Sequence, residues 1–147
     1  IYQIRKAISL GPGNAEWIAA LGEQLTWSGK PLDGIDYLEK AMRLDPQYPA
    51  FYLWNLGHAH YLAGQYDKAA DVFQRALVMA PDFWPSHAFL ALAYDSLGQK
   101  DKAAIEIREA LNSTQNQSLL SWEDRLPYKD QSRAVLIVGR LNEMGFH

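Results

Sequence analysis

Small residues recur along this chain at a step of about 34 positions. Gly22, Gly29, Ala41 and Pro46 return 35 residues later as Gly57, Gly64, Ala76 and Pro81. Leu56, Gly64, Ala69 and Ala76 return after 34 as Leu90, Gly98, Ala103 and Ala110. A period of this length is the mark of a solenoid of helix pairs. One pair cannot bury its apolar face alone, so neighbours stack and share a continuous core. The expected fold is therefore all-α: an α-α superhelix of about three and a half helix pairs plus a C-terminal capping helix.

The period also divides the chain. Ala7 and Pro12 precede Ala41 and Pro46 by 34 positions, so residues 1–14 read as the second helix of a truncated repeat. Full repeats follow at 15–49, 50–83 and 84–117, the last with a degenerate end where Gln115 replaces the expected proline. Residues 118–147 are expected to be a linker and the capping helix, within one structural domain. The start at Ile1, inside half a repeat, reads as a fragment of a longer protein. Ser28-Gly29-Lys30, Ala63-Gly64-Gln65 and Leu97-Gly98-Gln99 mark the turns inside each pair, where glycine ends a helix in the left-handed region without steric cost. Asp33, Asp67 and Asp101 begin the second helices, where negative charge complements the helix dipole. Residues 113–129 are polar and turn-rich, and predict a long loop with one helical turn around Leu119–Asp124. The last helix has a plausible N-cap in Asp130, a stop at Gly145 and one apolar face of Ala134, Ile137, Val138, Leu141 and Met144.

Composition narrows function. The chain has 147 residues, 48% of them apolar and 21% charged, with a net charge of -3. That balance argues against nucleic acid, which selects a basic face. Cysteine is absent, which excludes disulfides and thiolate metal sites. No apolar run approaches the ~20 residues of a membrane span. With no visible signal peptide, a cytoplasmic location is expected. No Gly-rich phosphate loop or nucleophile elbow is present. His58 and His60 sit two apart on a helix, so they face different ways and make a poor metal pair. His60 and His87 read as hydrogen-bonded packing residues, and Glu106/Glu109 as a solvated face. The expectation is a chain with no catalytic residues, cofactor or metal.

Leu56-Gly57, Ala69, Phe73, Ala76 and Pro81 in the second repeat, and Leu90-Ala91, Tyr94, Ala103, Ile107 and Ala110 in the third, resemble the tetratricopeptide repeat pattern W-x2-L-G-x2-Y…A-x3-F…P. The first repeat keeps Leu21-Gly22, Leu38, Ala41 and Pro46. The leading Trp slot holds Ile18, Leu53 and His87, and the Tyr slot holds Leu25 and His60 in the first two repeats. A narrower resemblance covers residues 41–147. Leu53-Trp54-Asn55-Leu56-Gly57-His58-Ala59, then Arg125-Leu126-Pro127-Tyr128-Lys129-Asp130 and a last helix ending Met144-Gly145-Phe146, is similar to the C-terminal repeat region of bacterial class III adenylate cyclases. It implies a non-catalytic regulatory or self-association tail with a cyclase domain upstream. The competing parentage is a repeat domain attached to another effector, such as a transcription regulator.

In tetratricopeptide arrays one face of each first helix lines a groove. Here that face carries Phe51, Trp54, Asn55, His58, Tyr61 and Leu62 in the second repeat, Glu23 and Trp27 in the first, and Leu92 and Asp95 in the third. These residues are the expected protein-binding groove, aromatic in the middle and acidic around it. Trp54 and Tyr61 would otherwise pack on neighbouring helices or on the terminal helix. Family members that clamp a partner's C-terminal carboxylate use Lys, Asn and Arg at slots that hold Ala19, Glu23, Asn55, Pro85 and Phe89 here. Only Asn55 agrees, which argues against that subclass. The expected function is a scaffold that docks an apolar, basic-leaning peptide or helix, or another domain of its own chain. Homo-oligomers are compatible with this reading; nucleic acid and membrane are not.

Overall fold

The left-handed turn glycines organise the fold. Gly29, Gly64 and Gly98 have φ of 85°, 76° and 75°. The residue after each donates its N–H to the carbonyl five positions back: Lys30 to Leu25 and Gln65 to His60 at 2.9 Å, Gln99 to Tyr94 at 2.8 Å. This closure ends one helix and turns the chain straight into the next. The computed structural model describes residues 1–114 and 126–146. Among them are eight helices: α1 (Tyr2–Leu10), α2 (Ala15–Trp27), α3 (Pro31–Leu44), α4 (Ala50–Leu62), α5 (Tyr66–Met79), α6 (Trp84–Ser96), α7 (Lys100–Ser113) and α8 (Gln131–Glu143). The helical turn expected around Leu119–Asp124 lies outside the described residues.

Within each pair the helices cross where the small residues fall. A Cβ on Gly34 would lie 2.8 Å from the carbonyl oxygen of Gly22, and one on Gly57 would lie 2.7 Å from the Phe73 ring. Only glycine leaves room for the backbone approach at Gly22 and Gly34 and for the Phe73 ring at Gly57. Leu21, Leu38, Leu56, Phe73, Leu90 and Ile107 fill the space between and are buried. Asp33, Asp67 and Asp101 stand in the first turns of α3, α5 and α7.

Successive first helices touch: α2 meets α4, and α4 meets α6. The second helices α3, α5 and α7 do not meet one another. The row α2–α4–α6 is therefore the inner, concave side of the stack. The last helix starts where expected, with the Asp130 carboxylate accepting the N–H of Ser132 at 3.0 Å. It ends at Gly145, φ 98°. Ala134, Ile137 and Leu141 are buried, and α8 packs on α6. Beyond the turn, Phe146 is fully buried and its ring lies 5.3 Å from that of Trp84. The cap thus crosses the first helix of the last repeat.

Candidate functional site: a concave face filled from the C-terminus

The aromatic row forms, but part of it is already occupied. Tyr128, on the non-helical stretch before α8, is 4% exposed. Its hydroxyl and Nε2 of His58 are hydrogen-bonded at 2.6 Å. Its ring meets Trp27 edge-on, centroids 4.5 Å apart, and Trp27 lies 4.5 Å from the His58 ring on its other contact. The next residue, Lys129, donates its N–H to the carbonyl of Trp27 at 3.0 Å. The Gln131 side chain donates to the carbonyl of Tyr128 at 2.6 Å, holding the bend.

Each expected groove residue can now be placed. Asn55, His58 and Leu92 are buried, so they do not line an open surface. Trp54 is partly buried between Trp27, His58, Phe83 and Phe89. Tyr61 and Leu62 are partly covered, and α8 places Arg133, Leu136 and Ile137 beside them around a cavity of about 360 Å³. Trp27 and Glu23 stay partly exposed. Asp95 receives both Nε and Nη2 of Arg140, at 2.7 and 2.5 Å. Phe51 is 51% exposed. The expectation of an open aromatic groove is therefore corrected: neighbouring helices and the terminal segment take most of it. The physical reason is that Tyr128 and the apolar face of α8 need burial, and the aromatic row offers the matching surface.

Burial sets the protonation states. The His58 imidazole is pushed down to about 3 by loss of solvent, aided by the nearby Arg133 charge. It is neutral at physiological pH. Burial raises the Tyr61 phenol to about 12 and the Tyr128 phenol well above its ordinary value. The hydrogen bond from Arg140 holds Asp95 below the usual carboxylate range.

His60 and His87 sit in slots that prefer aromatics, and both are hydrogen-bonded. His60 Nδ1 pairs with Gln65 Oε1 at 2.7 Å. His87 bonds Glu106 at 2.7 Å and the carbonyl of Pro81 at 2.8 Å. Glu106 is thus a partner of His87 rather than one of a solvated pair with Glu109. Burial works against charge on His87, but the hydrogen bonds to Glu106 and to the Pro81 carbonyl, with the charges of Glu106 and Glu109, together outweigh it and raise its pKa. Sequence reasoning missed Tyr128, Lys129 and Arg133 as concave-face residues. They lie outside the repeats, so no periodic partner marks them.

Helix pairs stacked by a 34-residue period around an inner row of first helices define a helical-repeat solenoid. Two family models described as tetratricopeptide repeat match residues 14–82 and 60–121, and the chain is a tetratricopeptide repeat protein. No curated protein sequence matches it. The crystal structure of MamA superposes with a TM-score of 0.68 at 26% identity, covering 96% of this chain and 84% of that one. PcrH in complex with the chaperone binding region of PopB has a TM-score of 0.68 at 21% identity, covering 88% and 93%. The Yersinia enterocolitica type III secretion translocator chaperone SycD has a TM-score of 0.68 at 19% identity, covering 88% and 92%. At these last identities the likeness is one of fold. Among the described residues, no helix is long and apolar enough to cross a membrane.

Proposed function

We propose that the chain is a protein-interaction scaffold that seats a partner's peptide or helix on the concave row of first helices. The observation that carries this reading is Tyr128. A short irregular stretch inserts one aromatic side chain between Trp27 and His58 and donates one backbone N–H to the Trp27 carbonyl. That is how a groove engages a peptide: a pocket for the side chain and the main chain for affinity. The chain's own residues 126–146 use the end of the row near the intra-pair turns. A partner uses the other end. There Phe51 and Phe83 stay exposed beside a cavity of about 220 Å³ lined by Ala50, Ala76, Ala80 and Ser86. Aromatic anchors of this kind dominate interface energies. The PcrH neighbour, titled as a complex with a binding region of PopB, supports the reading by analogy of fold. The cyclase-tail alternative draws no support from these matches, which rest on the repeats.

The test is selection of peptides from a random display library on the immobilised chain, followed by affinity measurement on variants. Phe51→Ala is expected to weaken the selected peptides about tenfold or more. Val78→Ala, an exposed change on α5, leaves them unchanged. Equal affinity for both variants rejects the Phe51 end of the row as the docking face.

A further inference from the structure

The three first helices contain no Lys or Arg. On their own they present Glu16, Glu23 and Asp95, and the row looks suited to a basic ligand. The C-terminal segment changes that by bringing Lys129, Arg133 and Arg140 to it. Arg140 is fully used, by Asp95 on one side and by Glu143 at 2.7 Å on the other. Lys129 and Arg133 come within ion-pair distance of no carboxylate among the described residues. The nearby acid, Asp130, has its carboxylate committed to the N–H and hydroxyl of Ser132.

Lys129 and Arg133, without an ion-pair partner among the described residues, stand with Asp130 on a cavity of about 610 Å³ between the α2–α3 turn, the end of α4 and the C-terminal segment. Its apolar walls are Trp27, Pro31, Leu62 and Tyr128. Cavities of a few hundred Å³ with apolar walls and few polar groups are the usual form of a ligand site. A guanidinium and an ammonium beside aromatic rings recognise a carboxylate carried next to an apolar side chain. A membrane or nucleic acid needs a broad basic field, which a chain of net charge -3 does not provide.

We infer that this seam pocket binds an acidic segment of a partner protein. One apolar side chain of the segment rests against Trp27, Leu62 and Tyr128, and its flanking carboxylates pair with Lys129 and Arg133. The inference rests on the reading of the chain as an interaction scaffold and names the chemistry of a second docking point, away from Phe51.

The test is fluorescence anisotropy on the full chain with a labelled peptide Glu-Asp-Phe-Asp-Glu. Controls are its amide counterpart Gln-Asn-Phe-Asn-Gln and a version flanked by lysines. The acidic peptide is expected to bind saturably and to weaken as salt is raised. The amide peptide and the Lys129→Gln/Arg133→Gln variant should each cost about tenfold or more, equivalent to about 1.4 kcal/mol. A Lys68→Gln/Arg108→Gln variant, changed on exposed sites of α5 and α7, serves as the charge control and should bind as the parent does. Thermal melts of both variants should match the parent. The inference is overturned by absence of saturation, by equal binding of the amide peptide, by preference for the lysine peptide, or by full binding to the Lys129/Arg133 variant. Displacement of the acidic peptide by a single-stranded oligonucleotide would also overturn it, by showing a general anion site. Phe51→Ala should leave this binding intact, so failure here and failure at Phe51 are read separately.

Discussion

Nε2 of His58 and the hydroxyl of Tyr128 lie 2.6 Å apart, tying the middle repeat to a segment 70 residues further along. The imidazole is fully enclosed and titrates near 3 instead of its ordinary 6.5. The unfolded or undocked chain therefore takes up a proton between those values while the folded chain does not. The stability from this neutral histidine is fully present above about 6.5 and is lost as pH falls toward 3. His87 works in the opposite sense: its raised pKa contributes stability below the ordinary histidine range that is lost as pH rises. We expect the denaturant midpoint of a His87→Gln chain to fall between pH 7 and pH 5.5, above the window in which carboxylates titrate. Replacing His58 by Gln as well should flatten that dependence. An unchanged slope would mean the His58 ring is reached by water.

Tyr128 itself should show how much of the docking is packing. Truncating a buried aromatic typically costs about 3–5 kcal/mol, because a cavity remains. Losing one neutral hydrogen bond costs about 1 kcal/mol. Tyr128→Ala should thus lower stability several times more than Tyr128→Phe. It should also open residues 126–146 to limited proteolysis while the repeats stay helical by circular dichroism. If Tyr128→Ala melts like the parent, the segment is not held on the concave face.

Arg140 provides a milder test of the same docking. It binds Asp95 with two nitrogens, yet its side chain is 38% exposed. Solvent screens such a pair, so Arg140→Ala should lower stability only slightly, and far less than Tyr128→Ala does. Asp95, held below the usual carboxylate range by that hydrogen bond, gives stability present above that range and lost as pH falls through it. The Arg140→Ala chain should therefore lose less stability than the parent between pH 5 and about 2 in denaturant melts. Equal losses would mean that Arg140 does not set the titration of Asp95.

The repeats were legible because each small residue is copied once per turn of the solenoid. Gly22 and Gly57, or Ala69 and Ala103, point to the same crossing in successive pairs, and one explanation serves all of them. The final helix was legible from its own caps and its single apolar face. What covers the groove was not. Tyr128 occurs once, in a non-repeating stretch, and nothing in the spacing of Leu126-Pro127-Tyr128 indicates which of three equivalent first helices it meets. The charge of the face was misread for the same reason: the helices that line it carry no cation, and the cations arrive on the segment that period arithmetic cannot place. His87–Glu106 shows the same limit, since a contact between one first helix and one second helix has no copy in the other repeats.

Two glycines in helices should respond to alanine with opposite signs. At Gly57 a Cβ would sit 2.7 Å from the Phe73 ring, which is itself fully buried and has no room to yield. Overpacking of this kind costs about 1–3 kcal/mol. Gly139, inside α8, has nothing within 4 Å of an added Cβ and is exposed. There alanine removes backbone freedom from the unfolded chain and should stabilise by up to about 1 kcal/mol. Paired denaturant melts decide it. A stabilised Gly57→Ala would mean the α4–α5 crossing is looser than described.

Trp54, Leu56 and Phe51 separate binding from folding on a single helix. Leu56 is 4% exposed within the core, and its truncation to alanine should cost roughly 2–5 kcal/mol. Trp54 touches Trp27, His58, Phe83 and Phe89, so Trp54→Ala should also destabilise, and its effect on any partner is mixed with unfolding. Phe51 is the clean probe. Half of it faces water, it makes an edge contact with Tyr52 at 4.9 Å, and it borders the apolar cavity shared with Phe83. Phe51→Ala should cost under about 1 kcal/mol of stability, as exposed positions do. The same change should weaken a bound peptide by about 2 kcal/mol, as a central anchor does. Melts and titrations on the three variants give the answer. A Phe51→Ala chain that unfolds as readily as Leu56→Ala would make Phe51 a packing residue. One that is stable and binds every selected peptide at parental affinity would move the docking face off the ends of α4 and α6.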